Sequence, residues 1–572
     1  MRPDLARTSV ALLAAATLAS CSRNAPPKGA APAAALPEYA LRLSEDLAFE
    51  VDPRLELLAA VQSRTDWVGG ERGPRAPNRY FEELSAFAEP WSKSAAARRS
   101  RALGSTGFSS DAPCALALSL DGGEALLAPA EGWSPYLRRR AFLAFRLDAF
   151  RSALADFYAA SGFRSFLAAH EADYRRWIAE ASEGFDAAAV SAWLDSFYGP
   201  REKPAYHFVL APAMFPAGGY GFSRALGEGA SRRLHVYQVV RAQGAEGGEP
   251  GFPSGRGLAS LTLHEFSHSF VNPALEPVSR DRRLRAIYAP VSARMRRMAY
   301  GAADLFINEL VIRAATILGE RELGLATPLE EELELRAEEA LGFYPVRRVL
   351  ALLEEYRAGL RGGRGDFAAF APALLGRLAE ESAAIVAEGS RRGFAGGAGS
   401  AAPAAGGFSE GFEGASGDFG IPAGWELALG ARSPGGDGSA SRARVEVAAE
   451  AGAAARGGSV LALEADSRTS SWLVIQRPLA VEEGTLALRW SARGEGIRAE
   501  GRQFGGSYVG LILEMRDGSR RFAVRGHEGS FPWKEFSLEE PIDPAKIASI
   551  RCAIFLNESG RLWVDDLEAA YR

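Results

Sequence analysis

Two histidines four residues apart, with a glutamate beside the first, are the residues of this chain whose types and spacing point to chemistry. The sequence reads His264-Glu265-Phe266-Ser267-His268, inside an apolar stretch with helical spacing. In a helix, positions i and i+4 lie one turn apart on the same face, so both imidazoles can reach one metal ion. Glu265 is placed to take a proton from water, which completes the pattern of a catalytic zinc site. The chain has only six histidines, so a chance occurrence of this pattern is rare.

A zinc site of this kind needs a third protein ligand. No third histidine follows at the interval H-x-x-G-x-x-H, because the chain continues Ser-Phe-Val-Asn-Pro after His268. A carboxylate from a second helix is the remaining source. Glu309 stands in the otherwise apolar stretch 305–318, where an unpaired buried carboxylate would be costly. A bound metal would compensate that charge, and the sequence therefore predicts Glu309 as the third ligand.

The two segments together resemble those of the gluzincins, zinc peptidases whose third ligand is a glutamate on a downstream helix. Ile307-Asn308-Glu309 is similar to the Asn-Glu segment of the thermolysin-like members. Residues 264–273 with 308–314 resemble more closely an uncharacterised bacterial family of zincin-like secreted proteins, over roughly residues 45–390.

The resemblance implies that His264, His268 and Glu309 bind Zn²⁺. It also implies that Glu265 is the general base, and later the proton donor, of a metallopeptidase that hydrolyses peptide bonds through a zinc-activated water. One departure concerns Arg313, four residues after Glu309. Thermolysin-like peptidases carry there an aspartate that orients a zinc histidine, so the groups that orient the ligands are left unassigned.

The donor that would stabilise an oxyanion is left open. Tyr300, Tyr220, His207 and His235 are the candidates, with a core or surface role as the alternative for each. The alternatives for the whole motif are a zincin-like lobe without turnover and a purely structural metal. Structural zinc sites are normally closed by four ligands rich in cysteine, and no cysteine is near, so an active hydrolase is favoured.

The N-terminal residues have the features of an export signal. Arg2 and Arg7 precede the apolar run 10–18, which is too short to span a membrane as a stable helix. The run ends in Leu-Ala-Ser-Cys21, which resembles a lipoprotein lipobox. The resemblance implies cleavage before Cys21 and lipidation of that cysteine; the alternative is an ordinary signal peptide with an incidental cysteine. We expect an exported bacterial lipoprotein, anchored to a membrane in the periplasm or at the cell surface.

The composition sets further bounds. The 572 residues predict two or three domains, and 47% hydrophobic with 24% charged residues is ordinary globular composition. A net charge of −5 gives no reason to expect nucleic acid as a partner. Cys114 and Cys552 each stand in an apolar, strand-like run, and we expect both to be buried and unpaired.

The expected organisation is a mostly helical, α+β zincin-like region followed by an all-β jelly-roll sandwich. The zincin-like region has strands near 47–51, 206–212 and 234–240 and a turn-rich stretch at 216–221; Asn272-Pro273 is expected to end the metal-binding helix. The predicted divisions are a signal peptide at 1–21, a tether at 22–37, the zincin-like region at 38–390, a Gly/Ala linker at 391–407 and the sandwich at 408–572.

The C-terminal region is similar to carbohydrate-binding modules and galactose-binding-like domains. The resemblance rests on Gly411–Gly414, Ile421–Trp425 and Leu562–Glu568. It implies a structural Ca²⁺ held by Glu413 with Asp565 or Asp566, against the alternative of ordinary turn polarity. Four aromatic residues are candidates for stacking on sugar rings or for core packing: Trp472, Trp490, Tyr508 and Trp533. The expected partners are thus a peptide or protein substrate, a glycan, and a membrane reached through the lipid.

Overall fold

The computed structural model describes most of the chain from residue 36 onward. The described residues are 36–63, 78–108, 111–122, 132–200, 202–214, 218–227, 232–244, 248–276, 281–298, 300–361, 366–392, 407–410, 412, 421–422, 424–429, 443–449, 459–466, 472–498, 506–517, 519–557 and 559–572. The signal and most of the tether and of the linker predicted from the sequence lie outside them, as does Cys21.

Helices dominate the described residues up to residue 392. They are α1 (Pro53–Gln62), α2 (Arg79–Ala88), α3 (Ala95–Gly104), α4 (Asp111–Ala117), α5 (Pro135–Ala141), α6 (Ala144–Ser161), α7 (Phe163–Ala169), α8 (Glu171–Ser182), α9 (Ala187–Tyr198), α10 (Gly255–Leu275), α11 (Arg282–Tyr288), α12 (Ser292–Arg297), α13 (Ala303–Glu322), α14 (Pro328–Leu341), α15 (Val346–Arg361), α16 (Phe367–Glu380) and α17 (Ser382–Arg392). Many begin at Ser, Thr, Asp or Asn caps, such as Asp52 before α1 and Thr327 before α14.

A five-stranded sheet stands among these helices. Its strands are β1 (Tyr39–Ser44), β2 (Leu47–Val51), β3 (Pro204–Ala211), β4 (Gly218–Leu226) and β5 (Arg233–Arg241), in the order β1-β2-β3-β5-β4. β2, β3 and β5 are parallel, whereas β1 and β4 run antiparallel to their neighbours. Because β4 is last in this order, it is an edge strand of the sheet. A two-residue pair, β6 (Gln243–Gly244) with β7 (Pro250–Gly251), follows before α10.

The helix α10 packs on one face of this sheet. The Phe266 ring lies 4.9 Å from the Tyr206 ring and 5.0 Å from the Phe208 ring, both on β3. On its other side α10 packs against α13, with Leu263 against Gly319. The buried face of α10 thus holds it between the sheet and a second long helix, where burial of apolar surface stabilises it.

Three expectations about local structure were wrong. Pro273 does not end the helix that carries the two histidines: α10 continues to Leu275 and does without the backbone hydrogen bond that residue 273 would otherwise donate to the carbonyl oxygen of Ser269. The turn-rich stretch at 216–221 is largely the start of strand β4. Cys114 lies in the short helix α4, since a short apolar run does not distinguish a strand from a buried helix.

From residue 407 onward the described structure is all β. Its strands are β8 (Gly407–Glu410), β9 (Glu426–Leu429), β10 (Ala443–Ala449), β11 (Ser459–Asp466), β12 (Trp472–Leu479), β13 (Gly484–Ile497), β14 (Gly506–Met515), β15 (Arg520–His527), β16 (Gly529–Ile542), β17 (Ile547–Asn557) and β18 (Ser559–Tyr571). They form two antiparallel sheets: β10-β11-β18-β13-β16, with β8 beside β18, and β15-β14-β17-β12-β9.

The two antiparallel sheets enclose an apolar core, which confirms the predicted helical region followed by an all-β sandwich. Leu463, Leu488, Leu511 and Ile554 are among the core residues. The core also takes in Leu329 and Leu333 of α14, so that helix packs against both the helical region and the sandwich. Cys114 and Cys552 are buried and free, as predicted. Among the described residues, no helix is both long and apolar enough to cross a membrane.

Candidate metal centre

Two residues of α10 present their side chains to the same point, as the i, i+4 spacing predicts. The rings of His264 and His268 have centroids 5.2 Å apart and both side chains are largely covered. Between them in sequence, Glu265 is 7% exposed. Leu263, Phe266 and Phe270 of the same helix are buried, which fixes the rotation of α10 and so the direction of both imidazoles.

Glu309 of α13 faces the two histidines. Its Oε2 lies 3.7 Å from Nε2 of His264, and its Oε1 lies 3.4 Å from Nε2 of His268. The three candidate ligand atoms all lie within 4.8 Å of one another. Tetrahedral coordination at zinc-ligand distances of about 2.1 Å places ligand atoms about 3.4 Å apart. Two imidazoles and a carboxylate at these distances therefore fit a zinc ion.

Two further observations support the fit. Oε2 of Glu309 is buried and accepts no hydrogen bond from a described residue, a cost that a cation would remove. Among the described residues, this is the one group of three or more His, Cys, Asp or Glu side chains with ligand atoms so close together. Two nitrogens and one oxygen are also a donor set typical of catalytic zinc with one coordination position left open.

The electrostatics of the centre favour charged Glu309 and neutral imidazole. Burial would raise the pKa of Glu309, but His268, His264 and Arg313 outweigh it and hold that pKa below its ordinary value. Burial lowers the pKa of His264 to about 3, against the pull of Glu309. Burial raises the pKa of Glu265 to about 7, although His268 opposes the shift. Deprotonated imidazole and carboxylate are the forms that bind a metal.

Arg313 forms an ion pair with the Glu309 carboxylate. Its Nε lies 3.4 Å from Oε2 of Glu309, and its Nη1 donates to both oxygens of Glu338 at 2.7 Å. Its Nη2 donates to the Tyr300 hydroxyl at 3.2 Å, and its guanidinium lies 4.3 Å from the centre of the Phe343 ring. Arg313 is thus held by Glu338, Tyr300 and Phe343. Through the ion pair it positions the carboxylate of Glu309, the candidate third ligand.

Asn272 lies beside the second histidine. Its Nδ2 is 3.3 Å from Nδ1 of His268, while its Oδ1 is buried without a hydrogen-bond partner among the described residues. Turned by 180°, the amide would place Oδ1 to accept from Nδ1–H. That arrangement leaves the Nε2 lone pair of His268 facing Glu309, which is the tautomer that metal binding requires.

The strand β4 lies directly against Glu265. A Cβ atom on Gly219 would stand 2.7 Å from both Cγ and Oε1 of Glu265. Sequence reasoning missed this contact because it assigned the glycines to a turn. The signal was present: Gly219 and Gly221 alternate with Tyr220 at the period of a strand, and glycine inside a strand often marks a close backbone approach.

The four candidate oxyanion donors lie in different places. Tyr300 stands beside the ligands, and its hydroxyl interacts with Glu309 and Arg313; burial raises its pKa to about 12. The Tyr220 ring lies 4.7 Å from the Arg241 guanidinium. Strand alternation directs Tyr220 away from α10, since its neighbours Gly219 and Gly221 face that helix.

The structure does not bring His207 and His235 to the centre. Strand alternation places His207 on the sheet face opposite Tyr206 and Phe208, which contact α10. Its Nδ1 lies 3.2 Å from Oε1 of Glu50, and its Nε2 lies 2.9 Å from Nδ1 of His235. Burial, with His207 next, lowers the pKa of His235 to about 4.

The candidate calcium residues of the sandwich are only partly within the described residues. Glu413 lies outside them. Asp565 is buried, and its Oδ1 accepts from the backbone N–H of Asp566, whose φ is 48°. The candidate sugar-stacking aromatic residues differ in exposure. Trp490 is buried against Phe536, whereas Tyr508 and Trp533 are half-buried. The side chain of Trp472 is not among those that the structure describes.

Comparison with known families gives one match. Residues 136–362 match the family described as "Domain of unknown function (DUF4932)". The matched stretch contains α10 and α13, and therefore all three candidate ligands. No curated protein matches the chain.

Solved structures similar to this chain cover about a quarter to a third of it. The enzymatically active domain of bacteriophage CBA120 tailspike protein 4 is 9% identical, with TM-score 0.21; the match spans 27% of this chain and only 20% of that one. The C-terminal family 22 carbohydrate-binding module of Clostridium thermocellum Xyn10B is 18% identical, with TM-score 0.19, over 29% of this chain and 91% of that one. The family 11 carbohydrate-binding module of the Clostridium thermocellum cellulase Lic26A-Cel5E is 13% identical, with TM-score 0.20, over 30% and 96%.

Proposed function

We propose that this chain is a zinc-dependent metallopeptidase with a zincin-like catalytic region. The observation that carries the proposal is the convergence of His264, His268 and Glu309, whose ligand atoms lie within 4.8 Å of one another although they come from two helices. The His-Glu-x-x-His pattern of α10 supplies a carboxylate beside the ligands. These residues supply the donor set of a gluzincin site, which supports this reading over a structural metal.

The residues of the chain have separate roles in the proposed hydrolysis of a peptide bond. When bound, zinc supplies Lewis acidity and lowers the pKa of water. Glu265 takes the proton of the attacking water and later delivers a proton to the leaving amine. Tyr300 is the proposed hydrogen-bond donor to the oxyanion, because its hydroxyl lies beside Glu309 and is directed by Arg313 at 3.2 Å. Arg313 and Asn272 orient the ligands.

An extended peptide is the proposed substrate. The strand β4 is the edge of its sheet and runs past Glu265, with Gly219 against that carboxylate. Backbone groups on an edge strand can pair with an added extended segment. A peptide bound there would lie along the strand, with its backbone close to the general base.

The test combines metal content with hydrolysis. Purified chain is expected to hold one zinc ion per molecule by mass spectrometry of the metal and to cleave a diverse peptide library. Glu265→Gln should keep the zinc and lose hydrolysis by at least about a thousandfold, whereas His264→Ala should lose both. Glu276→Gln, the same change at the end of α10, is the matched control and should leave both unchanged.

Two outcomes would contradict the proposal. Equal hydrolysis by the parent chain and Glu265→Gln would remove Glu265 from the chemistry. Stoichiometric zinc without turnover of the library would favour the alternative, a catalytically silent zincin-like lipoprotein that binds a glycan or protein through its C-terminal sandwich. A glycan array probed with the full chain would then test that binding directly.

The place of action belongs to the same proposal. The Leu-Ala-Ser-Cys21 segment supports export and attachment to a membrane through lipid on Cys21. Mass spectrometry of the N-terminal peptide from the native host would show a lipid-modified Cys21 as the first residue. An unmodified Cys21 would instead support the alternative, an ordinary signal peptide with an incidental cysteine.

A further inference from the structure

Three large apolar side chains are exposed together where α5 ends and α6 begins. Phe142 is 70% exposed, Leu143 is 53% and Phe145 is 66%. The other large apolar residues exposed among the described ones are the pair Leu41 and Leu43 on β1 and the single residues Leu305 and Phe522. We call Phe142, Leu143 and Phe145 the apolar tip. Single exposed apolar residues need no explanation, but a cluster of three is typical of an interaction surface.

The backbone holds the apolar tip in a costly conformation. Phe142 has φ 63° and ψ −40°, and it is one of three non-glycine residues with positive φ among those described. An aromatic residue rarely adopts this conformation, and such outliers cluster at functional sites. The strain turns the chain so that Phe142 points outward instead of continuing α5.

Hydrogen bonds from Arg146 fix the base of the tip. Its Nη1 donates to the backbone oxygen of Ala141 at 3.2 Å and to the hydroxyl of Thr106 at 3.0 Å. Its Nη2 donates to the backbone oxygen of Ala102. One side chain thus ties the start of α6 to the end of α5 and to α3. The apolar tip is therefore a rigid projection with α3 beside it.

The surroundings of the tip are basic. Residues 134–147 contain Arg138, Arg139, Arg140 and Arg146, and residues 94–107 contain Arg98, Arg99 and Arg101, while neither stretch has an acidic residue. Asp111 and Asp148, which follow the two stretches along the chain, accept hydrogen bonds from Tyr136 and Trp133. The chain as a whole has a net charge of −5. The positive charge is thus concentrated around the exposed apolar side chains.

We infer that the apolar tip docks on an anionic phospholipid surface. Phe142, Leu143 and Phe145 would enter the interface of the bilayer, and the surrounding arginines would bind the headgroup phosphates. A second copy of the chain fits poorly, because pairing two tips would bring two arginine clusters together. This inference is independent of the proposed catalysis. A chain tethered at Cys21 would gain a fixed orientation from such a contact.

The first experiment measures sedimentation with vesicles. The chain from residue 22 onward keeps every described residue and lacks both the apolar run and Cys21, so lipid on the cysteine cannot contribute. It should sediment with vesicles of phosphatidylglycerol and phosphatidylethanolamine, weakly with phosphatidylcholine alone, and less as salt rises. Phe142→Ser/Phe145→Ser should lower the affinity at least about tenfold. Leu43→Ser, at a residue 49% exposed elsewhere, is the matched control.

Thermal unfolding of each variant shows that the fold is intact. Equal sedimentation of the parent and the double variant would overturn the inference, and so would the lack of any binding by the parent chain. Binding that is equally strong to phosphatidylcholine would overturn the role of the arginines.

The second experiment reads the position of the tip itself. In the chain from residue 22 onward, the two remaining cysteines, Cys114 and Cys552, are buried. An environment-sensitive thiol dye therefore labels a Phe142→Cys variant of that chain selectively at the tip. Its emission should shift to shorter wavelength when phosphatidylglycerol vesicles are added. Unchanged emission would overturn insertion. A concentration-dependent dimer without vesicles that Phe142→Ser/Phe145→Ser abolishes would assign the tip to self-association instead.

Discussion

Gly221 of β4 lies so close to Glu265 of α10 that a Cβ atom on the glycine would stand 1.8 Å from the Glu265 carbonyl oxygen. The same strand brings Gly219 against the Glu265 side chain, with a Cβ distance of 2.7 Å. The position of the proposed general base therefore depends on two residues without side chains. This dependence gives the first prediction.

Gly219→Ala should lower hydrolysis at least about a hundredfold and leave the zinc content unchanged, because the new methyl group displaces the Glu265 carboxylate and not the ligands. Gly221→Ala should instead destabilise the fold by more than about 3 kcal/mol, since strand or helix backbone must move. Gly376→Ala is the control, because a Cβ atom there meets nothing within 4 Å. Its free energy of unfolding should be unchanged or higher by up to about 1 kcal/mol. Full activity of Gly219→Ala would contradict the geometry.

Arg313→Met should lower zinc affinity about 10- to 100-fold, because Glu309 loses the group that orients it. It should also cost about 3–5 kcal/mol of stability, since the buried Glu338 carboxylate loses both hydrogen bonds from Arg313 and the charge that they bring. Arg313→Met/Glu338→Met should recover most of the stability and none of the affinity. Competition with a fluorescent chelator measures the affinity, and urea unfolding measures the stability. Recovery of both in the double variant would show that Arg313 acts only on the fold.

Removal of zinc should lower the thermal midpoint of unfolding, and the midpoint should rise with the concentration of free zinc. Zinc at a hundred times its dissociation constant should stabilise the folded chain by about 2.7 kcal/mol. Differential scanning calorimetry with and without a chelator measures the difference. His268→Ala should abolish the response to zinc, and the same response in this variant would place the bound metal elsewhere.

The buried carboxyl group of Glu56 should lower the free energy of unfolding as pH rises. It is buried on α1, where Oε2 accepts from the Tyr80 hydroxyl at 2.7 Å and Oε1 has no partner among the described residues. Burial raises its pKa to about 8 from an ordinary value of 4.5. As pH rises, Glu56 loses its proton in the unfolded chain before it does so in the folded chain. The contribution of protonated Glu56 to the stability of the fold is therefore fully present below about pH 4.5 and is lost as pH rises through about 8.

Glu56→Gln should remove this dependence, because the amide does not ionise. Urea unfolding at pH 5 and at pH 8 measures the dependence. The free energy of unfolding of the parent should fall by up to about 4 kcal/mol more than that of the variant between these two pH values. The exposed Glu183→Gln should behave like the parent. A Glu56→Gln chain that keeps the parent's full pH dependence would assign it to other groups.

The convergence of the three candidate ligands could be predicted from sequence because each needed only a local rule. His264 and His268 needed only the i, i+4 rule, and Glu309 needed only the cost of a carboxylate in an apolar helix. The β-sandwich was also accessible, since strands such as β11, β13 and β14 alternate clearly. That the three ligands hold zinc and that Glu265 hydrolyses a peptide stay predictions.

The remaining parts of the centre depend on contacts that sequence spacing does not encode. Arg313 and Glu338 meet across α13 and α14, and the sequence shows no reason to pair them. Gly219 looked like a turn residue because glycine is common in turns, whereas here the Glu265 side chain of the neighbouring helix leaves no room for a Cβ atom. His207 and His235 could be separated from the centre only once the sheet face was known.

The helix α14 belongs to two cores at once. Its Leu329 and Leu333 enter the apolar core of the sandwich, while its Glu338 holds Arg313, which contacts Glu309. The sandwich therefore contributes to the stiffness of the candidate metal centre through α14. Heat should accordingly unfold the helical region and the sandwich in one shared transition, and a ligand bound to either would protect the other.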